Sequence, residues 1–259
     1  MPELPDLEAY SKNLEKRLSG KEVKEVLVFK PGKSNVSKKE INEALVGAKI
    51  SAFKRDGKEI MILFDNSRVV GIHLMLEGGF EITTDINLVN FKMFAFCLDD
   101  VFLIIYDPRG WAKIELDPNI PKSPDALSSD FSLEYFLDKL KEKKLKNIKA
   151  LLIDQSIIRG IGNAYADEIL WKARISPESK AGLIPRDAAI RLYNSIKTVL
   201  TKSIDEILKI KPDVINGEIR SFMRVHRKDR KESPNGYPIL TKKIASKTTY
   251  FTEEQEIFS

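Results

Sequence analysis

The apolar residues of this chain change their period once, and that change dictates a fold in two parts. From Lys21 to Leu116 the sequence runs in short β-branched and aromatic segments, VKEVLVF, AKISAFKRDG, EIMILFD, RVVGIHLML, FKMFAFCL and VFLIIYD, separated by Gly, Asp and Asn turns. Such segments predict the strands of an antiparallel sandwich. Ahead of them Leu4, Leu7, Leu14 and Leu18 form the apolar stripe of one helix. The stretch DPNIPKSPDALSSDFS then breaks both patterns. Beyond it LEYFLDKLKEKKLKNIKALLIDQ, NAYADEILWKARI and PRDAAIRLYNSIKTVLTKSIDEIL carry the 3.6-residue spacing of helices. After Pro212 short strands return around a Pro-Asn-Gly turn, which predicts a terminal β-hairpin. The expected class is α+β: an N-terminal helix and antiparallel β-sandwich over 1–120, a linker at 121–130, a helical domain over 131–215 and a hairpin over 216–259.

A chain of 259 residues, 42% hydrophobic, can bury two modest cores. No secretory segment or run of eighteen apolar residues occurs, so the sequence predicts no membrane partner and a cytoplasmic location, with the nucleoid if the source is bacterial. The single Cys97, in FKMFAFCLDD, is expected to be a buried strand thiol and allows no disulfide within the chain. With only His73 and His226 beside it, a Cys/His metal site cannot be assembled. No metal and no cofactor are expected. The net charge is +5, yet residues 219–247 alone hold nine Lys/Arg against Asp229 and Glu232. That is either a phosphate-binding footprint or a solvated basic hairpin.

Two short stretches suggest chemistry. In MPELPDLEAY, Pro5, Asp6 and Glu8 suit a helix start, which leaves Pro2 and Glu3 unexplained. Removal of Met1 exposes a secondary amine on Pro2 with a pKa near ~8, partly unprotonated at neutral pH and able to form a Schiff base. In IDQSIIRGIGNAYADEILW, the glycines flanking Ile161 and the helix start at Gly162 and Asn163 offer backbone N–H groups and an amide to a phosphate. A tight interhelical turn explains the same residues.

Taken together, MPELPD and LLIDQSIIRGIGNAYADEIL resemble the formamidopyrimidine-DNA glycosylase/endonuclease VIII family of base-excision repair enzymes. DGK at Asp56–Lys58, HLMLEGG from His73, YDPRGW from Tyr106 and SPDALSSDF follow in the family's order. The resemblance runs from Met1 to about Gln255 and gives the helical part a helix–two-turn–helix. It implies a bifunctional DNA glycosylase/AP lyase, acting as a monomer on damaged double-stranded DNA. Pro2 would attack the deoxyribose C1′, expel the base and leave a Schiff base, with β,δ-elimination cutting the strand. Glu3 would move protons on the opened sugar, and Lys58 would contact phosphate and assist protonation. Asn163, Gly162, Lys247 and His73 would bind DNA. Leu76, Arg109 and Trp111 would fill the void left by the flipped base.

The resemblance also has departures. Asp6 stands where the family usually has Glu, shortening the carboxylate's reach by ~1.5 Å, so that Asp6 is either catalytic or only an N-cap. The four zinc cysteines of most bacterial relatives fall near Ser233, Asn235, Thr252 and Gln255, which implies a zincless finger packed by Tyr237, Ile239, Ile244, Tyr250 and Phe251. Lys247 replaces the usual Arg, keeping charge without the bidentate fork. The segment KPDVINGEI is short for the loop that the formamidopyrimidine branch closes over 8-oxoguanine, although Leu4 resembles that branch. The expected order of substrates is abasic sites, ring-opened purines and hydantoins before intact 8-oxoguanine. Two other readings stand beside the enzyme: a catalytically weak or inactive damaged-DNA-binding homologue, and a nucleic-acid-binding helix–turn module, which leaves Pro2, Glu3 and Lys58 unexplained.

Overall fold

The computed structural model describes all 259 residues. They pack as two compact units, one formed by 1–120 with 207–218 and the other by 121–206 with 219–259.

The first unit begins with α1 (Leu4–Leu18), whose stripe of Leu4, Leu7, Leu14 and Leu18 is at most 1% exposed. Strands β1 (Glu25–Val28), β6 (Lys92–Cys97), β7 (Phe102–Tyr106) and β5 (Gly79–Thr83) form one antiparallel sheet in the order β1-β6-β7-β5. Strands β2 (Ile50–Asp56), β3 (Glu59–Phe64), β4 (Val69–His73) and β8 (Lys113–Leu116) form the other, in the order β2-β3-β4-β8. Alternate residues of β3 are buried, Ile60 and Ile62 completely, as one covered sheet face requires. Phe80, Phe94, Phe96, Leu103 and Ile105 bring the bulk of the other sheet into the core.

Helix α2 (Lys38–Leu45) was not expected. Its start is a capping box in which Ser37 accepts from the Glu40 N–H and the Glu40 carboxylate accepts from the Ser37 N–H. Cys97 is half-buried at the end of β6 rather than buried, opposite Glu25 of β1. Burial, followed by the Glu25 charge, pushes its thiol pKa up.

The second unit contains α3 (Leu133–Glu142), α4 (Ile148–Leu152), α5 (Asn163–Lys172), α6 (Arg186–Ile210) up to residue 206, and the hairpin of β9 (Leu240–Ile244) and β10 (Lys247–Phe251). The stretch 121–130, expected as a linker, packs here: Ala126 is fully buried and its N–H donates to the Arg159 carbonyl at 3.0 Å. The hairpin reverses at Ala245 and Ser246, with φ of +49° and +60°, and not at Pro-Asn-Gly. Pro234, Asn235 and Gly236 close a smaller loop, bridged from Glu232 to Pro238, ahead of β9. Ile244 and Tyr250 are buried as expected of hairpin packing, whereas Tyr237 is exposed.

The last turn of α6 and the chain to Glu218 pack with the first unit. Three side-chain amide and hydroxyl groups hold them there. Asn13 Nδ2 donates to the Val214 carbonyl at 2.8 Å, the Tyr10 hydroxyl to the Gly217 carbonyl, and Asn216 Nδ2 to the Phe80 carbonyl at 3.0 Å.

Candidate active site and nucleic-acid contacts

Pro2 is buried at the entry to α1, and Glu3 is the residue that caps the helix. The Glu3 carboxylate accepts from the Asp6 N–H, and the Glu3 N–H donates back to Asp6 Oδ2 at 2.9 Å. Asp6 is therefore the N3 partner of a capping box and not the N-cap. Both acids are nearly inaccessible, 4% and 1% exposed, at the amino-terminal end of the helix. The box fixes the direction in which the chain before Glu3 leaves the helix, and with it the position of the terminal amine.

Lys58 occupies the two-residue turn between β2 and β3, where Gly57 takes a φ of +58° at the first central position, as such hairpin turns require. Lys58 is half-buried, and its charge reaches His73. Burial above all, then Lys58 and Lys113, lowers the His73 pKa and keeps the ring neutral. His73 Nδ1 accepts from the Met75 N–H at 3.0 Å, holding Met75 in a left-handed conformation at φ +58°. The ring therefore shapes the turn that carries Leu76, and His73 lines a cleft of about 160 Å³ together with Glu59, Lys113 and Glu115.

Leu76 and Trp111 are each 42% exposed. Strand leucines and tryptophans usually disappear into a core, so apolar surface presented on two loops of one unit is available to a partner. The Arg109 guanidinium lies 5.3 Å over the Trp111 ring and pairs with Glu77 at 2.6 Å. The loop is built by Asp107, a residue missed in the sequence. Its buried carboxylate accepts from the N–H groups of Arg109 at 3.0 Å, Trp111 at 2.6 Å and Ala112 at 2.8 Å.

In the second unit Gly162 is the N-cap of α5, following Gly160 at φ +99°, so the Gly-Ile-Gly run makes the turn that its composition suggested. Asn163 Nδ2 donates to the Thr248 carbonyl at 3.0 Å, which brings the start of α5 beside Lys247 at the head of β10. Behind this contact lies a buried ionic network that the helical periodicity concealed. Lys149 and Asp167, both fully buried, pair at 2.7 Å, and Lys149 Nζ donates to Thr249 Oγ1 at 2.6 Å. Asp167 Oδ2 accepts from the Tyr250 N–H at 2.9 Å and lies 2.7 Å from His226 Nδ1. Next to it, burial pushes the Glu168 carboxyl pKa up, opposed by the N–H groups of His226, Arg224 and Val225.

Residues 1–114 match the formamidopyrimidine-DNA glycosylase N-terminal domain and residues 123–211 the formamidopyrimidine-DNA glycosylase H2TH domain. A formamidopyrimidine-DNA glycosylase of Carboxydothermus hydrogenoformans is 36% identical over 79% of this chain and 78% of its own. One from Lactobacillus johnsonii is 30% identical over 97% of each. The chain belongs to the formamidopyrimidine-DNA glycosylase family. Among solved structures, the complex of the Lactococcus lactis family member with DNA containing an abasic site superimposes with a TM-score of 0.88, at 26% identity, over 98% of this chain and all of that one. A complex of the same bacterium's protein with Fapy-dG-containing DNA gives the same score.

Against that family, the finger of this glycosylase relative is organised around a carboxylate. Glu254 Oε2 accepts from Trp171 Nε1 and Thr252 Oγ1, both at 2.9 Å, and Oε1 accepts from Asn235 Nδ2 at 2.6 Å and from the Arg174 guanidinium. Ser233 Oγ accepts from the Asn235 and Tyr237 N–H groups, while Gln255 accepts from the Thr252 N–H at 2.9 Å and donates to the Ile175 carbonyl at 2.8 Å. Ser233, Asn235, Thr252 and Gln255, the positions assigned to the zinc cysteines, are all engaged in this network. Burial pushes the Glu254 carboxyl up, but the bonds from Asn235, Trp171, Arg174 and Ser233 outweigh it and hold the pKa well below the usual carboxylate range. No helix is long and apolar enough to cross a membrane.

Proposed function

We propose that this protein excises oxidised bases from damaged double-stranded DNA through a Schiff base on Pro2 and cleaves the strand by β,δ-elimination. The coarser part, an enzyme that is a DNA glycosylase of base-excision repair, follows from membership of the family. The observation that carries the finer part is the Pro2–Glu3–Asp6 arrangement: a proline one methionine away from the chain terminus, fixed by a buried capping box whose carboxylates lie next to it.

In this reading the Pro2 nitrogen adds to C1′, the C1′–base bond breaks, and the base leaves with the bonding pair after protonation. Loss of the remaining N–H proton with opening of the sugar gives the iminium. Glu3 exchanges protons with the ring oxygen, as a carboxylate held next to the nucleophile can. Lys58, Asn163, Gly162 and Lys247 hold phosphates, and His73 shapes the loop beside them. Leu76, Arg109 and Trp111 occupy the space the flipped nucleotide leaves. The short 210–220 segment supports weaker processing of intact 8-oxoguanine than of ring-opened purines.

Borohydride added to the methionine-trimmed protein with abasic-site DNA should give a covalent adduct. Pro2→Gly, or a chain that retains Met1, should lose it. An undiminished adduct in either removes Pro2 from the mechanism.

A further inference from the structure

In the untrimmed chain the Met1 ammonium is ion-paired with the carboxylate of Glu218, which follows it by 217 residues. That carboxylate is brought to the terminus by a constructed support. The buried Tyr10 and Asn13 of α1 bond the carbonyls of Gly217 and Val214, and Asn216 bonds the Phe80 carbonyl. Gly217, at φ +74°, turns the backbone through a conformation that other residues adopt only with strain, immediately before Glu218. Removing Met1 transfers the terminal amine to the Pro2 nitrogen, three bonds along the backbone and roughly 3–3.5 Å away. Rotation about the side-chain bonds of Glu218, which is about one-third exposed, covers that distance.

We infer that Glu218 is a positioning residue for the proline nucleophile: in the trimmed, DNA-free enzyme its carboxylate pairs with the Pro2 ammonium, fixing the amine and keeping it protonated until DNA binds. This rests on the assignment of Pro2 as nucleophile. The other charged groups on the elements around the terminus are Glu3 and Asp6 of α1, Asp56, Lys58 and Glu59 at the β2–β3 turn, and Glu81 of β5. Glu3 and Asp6 are held by the capping box, and Glu81 Oε2 lies 3.5 Å from Asn216 Nδ2. Replacing Glu218 by Gln removes the negative charge that pairs with the terminal amine, and the titration of Pro2 reads that change.

An opposite charge at this distance favours the ammonium, and partial exposure of Glu218 reduces the effect to about half a pH unit to one unit. Single-turnover borohydride trapping on abasic-site DNA, measured from pH 5 to 9, tests this with the trimmed full-length protein. In Glu218→Gln the acid limb should move down by that amount, making the variant about three- to tenfold faster than wild type below the midpoint. Glu218→Asp should keep the wild-type midpoint. A ¹³C-proline titration of the DNA-free proteins should show the same displacement at Pro2, which supplies the result even if Glu218→Gln binds DNA poorly. An unmoved midpoint, or one displaced upward, overturns the role of Glu218 while trapping in wild type preserves that of Pro2. Failure of trapping in wild type overturns the assignment of Pro2 itself.

Discussion

Glu254 allows the stability of the finger to be worked out from its bonds. Its side chain is 3% exposed and accepts from Trp171, Thr252, Asn235 and Arg174 among others, and water reaches Asn235 and Arg174 once the carboxylate is gone. Arg174 is 45% exposed along its side chain and Asn235 lies at the surface, so both are resolvated cheaply. The bonds from Trp171 Nε1 and Thr252 Oγ1 are part-buried, and each is a bond to a charged acceptor worth about 1.5–3 kcal/mol. Glu254→Ala should therefore destabilise the second unit by about 3–6 kcal/mol, and Glu254→Gln by somewhat less, since the amide still accepts at one end but turns a donor toward other donors.

The dependence on pH has a definite sign. Because the folded pKa is depressed, the stabilisation is fully present above the unfolded value near ~4.3 and is lost as pH falls through the folded one. Urea denaturation followed by Trp171 fluorescence should give a difference between wild type and Glu254→Ala that is flat from pH 8 to 5 and shrinks below about pH 4.5. A variant within 1 kcal/mol of wild type at pH 7, or a difference that grows between pH 8 and 5, refutes the carboxylate as the centre of the finger.

Asp107→Ala should disorder the loop that presents Arg109 and Trp111, lowering affinity for an abasic-analogue duplex about tenfold or more while leaving the sandwich folded; fluorescence anisotropy and circular dichroism measure the two effects. His73, with its lowered pKa, stabilises the fold above about pH 6.5 and loses that contribution as pH falls through its folded value. His73→Gln should flatten the decline of the urea midpoint between pH 7 and 5, and a parallel decline in both proteins rejects this assignment. Lys247→Ala should reduce the salt slope of duplex binding by about one unit, whereas Asn163→Ala should weaken binding without changing the slope. Equal slopes in all three proteins would exclude the lysine from phosphate contact.

What the sequence disclosed was whatever depends on neighbours along the chain. The stripe of α1, the Gly-Ile-Gly turn before Asn163 and the alternation in β3 are local patterns, and each is found at its expected place. The hairpin turn was misplaced because Pro-Asn-Gly has strong turn chemistry, while Ala245 and Ser246 take positive φ values to which their types give no clue. Asp107 and Glu254, each accepting from several donors, and Lys149, donating within a buried ion pair, were missed because such groups look like any surface charge until the chain is folded. The segment 207–218 was read as the tail of the helical domain to 215 and the start of the hairpin from 216, since nothing in KPDVINGEI reveals that its carbonyls meet Tyr10 and Asn13, roughly two hundred residues earlier.

That returning segment affects synthesis. The first unit is interrupted in sequence, and its missing piece leaves the ribosome only after the intervening helices have been translated. Between Ile120 and Glu218, at 5–20 residues per second, this takes roughly 5–20 s. Throughout that interval the faces of Tyr10 and Asn13 that receive Val214 and Gly217 are uncovered on the nascent chain. The amino-terminal residues remain accessible to methionine-removing enzymes on the ribosome before the segment bearing Glu218 closes over them.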